Sequence, residues 1–139
     1  MNLGRPDLEL LFILAGLSAD HGMYLKDMLK LRNQIWDNYF SQITNYFIAS
    51  ILPIVFHPKS VGAIRLKDTD PSTMPIIKPN YFSHPSDIDI LIKGIRFVKG
   101  FVEMPAMQKL GARFNNLTFP GCEGFEFDTD EHWHDSSVF

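Results

Sequence analysis

The chain has 139 residues, a formal net charge of −3 at pH 7, 45% hydrophobic residues and 12 phenylalanines. That length allows one domain or part of one, and the apolar share suits a globular core and excludes a disordered segment. The mild negative charge, with no block of basic residues, leaves no footprint for nucleic acid, and the single cysteine, Cys122, excludes an internal disulfide and a cysteine-rich zinc site.

In chain order, Asp7–Ile13 reads as a strand with weak alternation, Leu8, Leu10 and Phe12 against Glu9. The apolar stretch Leu10–Leu17 follows Asp7 and Glu9 where a secretion signal would carry a cationic segment, so no signal peptide is read and localisation stays open. Gly16–Gly22 reads as a loop. Over Met23–Phe40, the residues Leu25, Met28, Leu29, Arg32, Ile35, Trp36 and Tyr39 fit helical spacing, with Lys26, Lys30 and Asp37 away from it. Asn45–Leu52, rich in Tyr, Phe and Ile, predicts a strand that Pro53 ends or bulges. The longest apolar run, Tyr46–Phe56, is interrupted by Ser50 and Pro53 and is about half the length that spans a bilayer. No membrane span is expected.

In Ala63–Lys67, Ile64 and Leu66 share one face of a strand and Arg65 and Lys67 the other. Thr69-Asp70-Pro71-Ser72 is turn chemistry, because Asp and Ser bond to nearby backbone and Pro pre-sets φ. Pro75-Ile76-Ile77, closed by Pro79-Asn80, predicts an edge strand, since proline donates nothing to a ladder. A helix follows: Ser83 or His84 as N-cap, Pro85 where a missing N–H is harmless, and Asp87 in the first turn. Ile88, Leu91, Ile92, Ile95, Val98 and Val102 form one apolar stripe and Ile90, Phe97 and Phe101 a second, so the helix is expected to be covered on more than one side. Pro105 stops or kinks it. Ala106–Leu110 predicts one or two helical turns closed by Gly111, Asn115–Gly124 a loop, and Asp128–His132 a further helical start capped by Asp128 or Thr129.

Few residues invite chemistry. His132 and His134, beside Asp128, Asp130, Glu131 and Asp135, lie two apart; on a strand they could share a metal ion, but on a helix such residues point to different sides, and a solvated acidic terminus is the favoured reading. His57 at a strand end and Cys122 in a Pro-Gly loop read as structural, and Asp7 with Glu9 as ordinary carboxylates. No G-x-G-x-x-G occurs, so a dinucleotide-binding fold is not encoded in these residues. Asn116-Leu117-Thr118 is a glycosylation sequon, meaningful if the parent protein is secreted.

Taken in order, Pro58-Lys59-Ser60-Val61-Gly62-Ala63-Ile64-Arg65-Leu66, Thr69-Asp70-Pro71, Pro75 with Ile76-Ile77-Lys78-Pro79-Asn80-Tyr81-Phe82, the Ser/Pro/Asp cap and Gly94-Ile95-Arg96-Phe97 carry a resemblance. They are joined by Met104-Pro105-Ala106, Leu110-Gly111-Ala112-Arg113 and Phe119-Pro120-Gly121-Cys122-Glu123, and upstream by Pro6–Leu10. The chain resembles the C-terminal substrate domain of the glucose–methanol–choline (GMC) flavoprotein oxidoreductases, above all insect members related to glucose dehydrogenase. The resemblance implies an α+β fold, mainly an antiparallel sheet backed by helices. It implies an incomplete substrate domain over residues 1–133 and a divergent tail over 134–139. Within Met23–Phe40 it implies a loop and then a short helix from about Gln34.

In the full-length family an alcohol or sugar is oxidised at a CH–OH group, with hydride passing to FAD held by a separate domain and a histidine acting as base. That histidine stands in a His-x-x-Gly-Thr-Cys motif downstream of the region that Glu131-His132-Trp133 resembles, and the sequence ends before it. No catalytic, cofactor-binding or metal-binding residue is therefore carried over. The expectation is a substrate-domain fragment that binds no FAD and is inactive alone, with Asp7–Phe12 and Asn45–Phe56 lining the pocket wall. A non-catalytic module binding a small molecule or a protein is the alternative. One departure stands out: Val61 replaces the arginine of the family's Pro-Lys-Ser-Arg-Gly, removing a planar multidentate donor.

Overall fold

The structure, a computed structural model, describes residues 4–134, the side chain of His134 excepted. The tail expected over 134–139 lies outside the described residues apart from the backbone of His134. Strand β1 (Leu8–Ile13) pairs antiparallel with β2 (Ser50–Val55), in register from Leu8↔Val55 to Ile13↔Ser50. A second ribbon joins β3 (Ala63–Arg65) to β4 (Ile76–Lys78), with Ile64 opposite Ile77. Helices α1 (Leu25–Met28) and α2 (Asn33–Asn38) lie between β1 and β2, followed by a 3₁₀ turn over Phe40–Ile43. After β4 come α3 (Pro85–Val102), α4 (Pro105–Lys109) and α5 (Asp130–His134). The class is α+β, with antiparallel ribbons backed by a helix, as the sequence implied.

The second strand begins five residues later than its composition predicts. Turns continue through the 3₁₀ segment as far as Tyr46, whose N–H donates to the Ile43 carbonyl at 3.3 Å. Pairing starts only at Ser50, opposite the last residue of β1. Pro53 then sits inside β2 instead of ending it. The Phe56 N–H donates to the Asp7 carbonyl at 3.0 Å. Counting from that pair, the alternation of an antiparallel ladder places Pro53 and Leu10 at a non-hydrogen-bonded site, where proline forfeits no ladder bond.

Helical spacing over Met23–Phe40 resolves into two short pieces because Lys30 takes φ 54° and Arg32 is extended. Asp20 opens the first piece. Its carboxylate accepts from the N–H groups of Leu25 (2.6 Å), Tyr24 (2.7 Å) and Gly22 (3.0 Å), which hold its pKa below the usual carboxylate value. Trp36 and Phe40 are buried and stack at 6.0 Å, and Tyr39 meets Phe119 edge-on at 5.0 Å, bringing the late loop onto α2.

Helix α3 crosses one face of the β1–β2 ribbon. His84 caps it through Nδ1, which accepts from the Ser86 N–H at 3.3 Å, and Pro85 occupies the first turn. The closest approach is at Gly94, where a Cβ would stand 2.7 Å from Leu8 Cδ2 and 3.3 Å from Pro53 Cβ. Ile92 and Val98 are buried, whereas Phe97 of the second stripe is 65% exposed. Cover on more than one side of the helix is therefore only partial. Ion pairs from Lys99 to Asp128 and from Arg96 to Asp130 fasten α5 to α3, and Thr129 Oγ1 accepts the His132 N–H at 3.2 Å. Altogether the chain exposes 10924 Å², against about 7400 Å² for a compact monomer of 15.9 kDa.

Candidate functional site

Side chains alternate across a strand, so the register divides the β1–β2 ribbon into two faces. Leu8, Leu10 and Phe12, with Ile51, Pro53 and Val55, turn toward α3. Glu9, Leu11 and Ile13, with Ser50, Leu52 and Ile54, turn away. Leu11, Ile13, Leu52 and Ile54 on this second face are 38–43% exposed, and no described element covers them. The face is a strip of four aliphatic side chains with the exposed carboxylate of Glu9 toward one end. At the other end, Ser50 Oγ donates to the Ala15 carbonyl at 2.8 Å.

On the helix side, the ribbon and the C-terminal half of α3 leave an open groove of about 300 Å³. It is lined by Leu10, Phe12, Ile51, Phe97, Val98 and Phe101. The second apolar stripe of α3 thus lines a groove where burial under a further layer was expected. Its lining is almost wholly apolar, so it offers shape and burial without an orienting charge.

Among the described residues, the most deeply buried charge lies elsewhere. Asp87, 1% exposed, accepts the Lys59 N–H at 2.9 Å on Oδ1, and the Ser60 N–H at 2.8 Å and Ser60 Oγ–H at 2.6 Å on Oδ2. These bonds, the Lys59 N–H foremost, lower its pKa from 3.8 to about 2, against the opposing effect of burial. The sequence presented Asp87 only as first-turn charge. The signal available was the co-occurrence of Pro-Lys-Ser and the Ser/Pro/Asp cap, two segments that the fold joins through this carboxylate.

The residues singled out for chemistry do not converge. Asp7 and His57 are both exposed and lie at the same end of the β1–β2 ribbon, just outside the Leu8↔Val55 pair. Cys122 is 4% exposed inside a turn, its N–H donating to the Phe119 carbonyl at 2.9 Å. His132 is 7% exposed against the rings of Phe127 and Trp133, and its Nδ1 has no hydrogen-bond partner among the described residues. The side chain of His134 lies outside the described residues. Among the described residues, no group of three His, Cys, Asp or Glu side chains could hold a metal ion, and no helix is long and apolar enough to cross a membrane. Asn116 is exposed in the late loop.

The start of α3 does not fit a dinucleotide. Helix N-termini bind pyrophosphate through free N–H groups and a positive dipole end. In α3, Pro85 has no N–H, the Ser86 N–H is taken by His84, and the Asp87 carboxylate sets a negative charge in the first turn. No chemistry through FAD is derived from these residues.

Fold and surface together give a two-stranded ribbon backed by a helix on one face and partly exposed and apolar on the other. The chain belongs to the GMC oxidoreductase family, whose model matches residues 58–137, more than half of its length. It is 35% identical over 83 residues to glucose dehydrogenase [FAD, quinone] of Drosophila melanogaster, covering 60% of this chain and 13% of that protein. It is 44% identical over 64 residues to alcohol dehydrogenase [acceptor] of Pseudomonas putida, covering 46% and 11%. A third relative is the chloroplastic fatty acid photodecarboxylase of Chlamydomonas reinhardtii, 29% identical over 124 residues, covering 86% and 18%. The chain thus spans less than a fifth of the length of each of these relatives. No solved structure matches it.

Proposed function

We propose that residues 1–133 form the core of the substrate domain of an FAD-dependent oxidoreductase acting on the CH–OH group of an alcohol or sugar. The open face of β1–β2 is its pocket wall. The observation that carries this reading is the uncovered strip Leu11, Ile13, Leu52 and Ile54, opposite the helix-backed face, in a chain of the GMC family. Names among the relatives, glucose dehydrogenase [FAD, quinone] and alcohol dehydrogenase [acceptor], support the reaction class.

In this reading the flavin accepts hydride in the complete enzyme, and these residues neither hold it nor supply the base. The wall excludes water and shapes the space beside the reacting carbon. Covering the exposed remainder of each of the four aliphatic chains contributes about 1 kcal/mol. That is enough to seat an apolar face of a substrate, not enough to orient it. Orientation falls to polar groups on the facing surface, with Glu9 the one ionisable side chain that this face contributes.

Methyl NMR of the purified chain, titrated with glucose and with butanol, tests the wall. The expected result is weak, saturable shifts confined to the methyls of Leu11, Ile13, Leu52 and Ile54. Shifts centred on the α3 groove, or four unchanged methyls at saturating ligand, would remove the basis of the assignment.

A further inference from the structure

The β3–β4 hairpin stands apart from the rest of the fold. Every residue of both strands is exposed, so apolar burial, the usual glue between elements, does not hold this ribbon to the body. With Tyr81 it frames an open groove of about 350 Å³ lined by Gly62, Ala63, Ile64, Ile77, Lys78 and Pro79. What ties the hairpin down is polar and lies at its base.

The chain enters the hairpin through Lys59–Gly62 and leaves it through Pro79–His84. On the entering side, the Lys59 N–H, Ser60 N–H and Ser60 Oγ–H all end on the Asp87 carboxylate in the first turn of α3. Ser60 Oγ also accepts the His84 N–H at 3.0 Å, so one hydroxyl joins both sides of the base to the helix cap. On the leaving side, Asn80 Nδ2 donates to the Val61 carbonyl and to Ser83 Oγ, each at 3.0 Å. Asn80 and Phe82 both take positive φ, 55° and 56°, a conformation common for asparagine but unusual for a bulky residue such as Phe82. Gly62 closes the base: a Cβ there would lie 2.5 Å from the carbonyl oxygens of Lys78 and Pro79.

We propose that Asp87 is a latch: it clamps the base of the hairpin to α3, and without it residues 63–78 open as a unit while α3 and the β1–β2 ribbon stay folded. Three donors converge on one buried carboxylate, hydrogen bonds to a charged acceptor are the strong ones, and no comparable apolar contact stands behind them. Segments with few buried apolar contacts open locally at a fraction of the global stability. Opening dismantles the groove beside Tyr81. The latch is independent of the wall assignment, because it involves neither face of β1–β2.

Hydrogen exchange on the full chain at neutral pH tests it, comparing wild type with Asp87→Asn and Ser60→Ala. The latch predicts that amides in Ala63–Arg65 and Ile76–Lys78 exchange faster by about tenfold or more in Asp87→Asn. Ser60→Ala should give a smaller acceleration in the same residues, and amides of α3 and β1–β2 should stay within about twofold of wild type. Unchanged hairpin exchange in both variants overturns the proposal, as does acceleration shared equally by α3 and β1–β2. Should Asp87→Asn lose its folded state altogether, Ser60→Ala decides: acceleration confined to the hairpin supports the latch, and uniform or absent acceleration refutes it.

Discussion

Asp87 shows what a single residue contributes and how little of that a sequence displays. Spacing placed it in the first turn of a helix, where any carboxylate is favourable. Its role as acceptor for Lys59 and Ser60, the latter 27 residues earlier, arises only when the β2–β3 connection folds back onto the cap. The folded carboxyl titrates at about 2, below the ordinary 3.8. Its stabilisation is therefore complete above about pH 4 and is lost as the pH falls toward 2. The groups facing it are the N–H of Lys59, the N–H and hydroxyl of Ser60, and His84 at the cap, whose charge also favours the ionised form. Asp87→Asn should speed hairpin exchange at neutral pH, with the excess over wild type narrowing as the pH drops through this window. Hairpin exchange of the two proteins, compared from neutral to about pH 2, checks this; a constant ratio would remove Asp87 from the acid limb.

Helix α3 was legible because it obeys local rules throughout: cap, proline at the start, charge in the first turn, an apolar stripe and a stop before Pro105. Strand β2 was half legible. Composition marked the region, yet its start was set by turns inherited from the 3₁₀ segment, and Pro53 was admitted by ladder phase, a property of the pair and not of the strand. The meeting of α3 with β1–β2 was not legible, because a glycine in a helix does not announce what approaches it. Gly94 and Gly100 separate these cases. A Cβ at Gly94 meets Leu8 and Pro53, whereas one at Gly100 meets nothing within 4 Å. Gly94→Val should destabilise by about 2 kcal/mol through overpacking. Gly100→Ala should stabilise by about 0.5 kcal/mol through helix propensity alone. Denaturant melts that give the two changes the same sign would refute the packing described for α3.

The whole molecule carries more surface than a compact monomer of its mass needs. Composition and motif order made the α+β class and the family legible, but not which apolar residues would lack a cover, because that depends on which face α3 occupies. The bare strip of β1–β2 and its unpaired edges predict self-association of the isolated chain. Leu52→Lys, on the open face, should change folding stability by no more than about 0.5 kcal/mol while shifting sedimentation toward monomer. Self-association that persists unchanged would place the contact elsewhere. The most direct test of the central claim, that these residues supply a substrate wall and not the cofactor site, is the flavin absorbance of the purified chain after incubation with excess FAD and removal of free cofactor. The account predicts a flavin-free protein. Stoichiometric retained flavin would contradict it, and would mean that these residues build a dinucleotide site that the capped and occupied start of α3 does not provide.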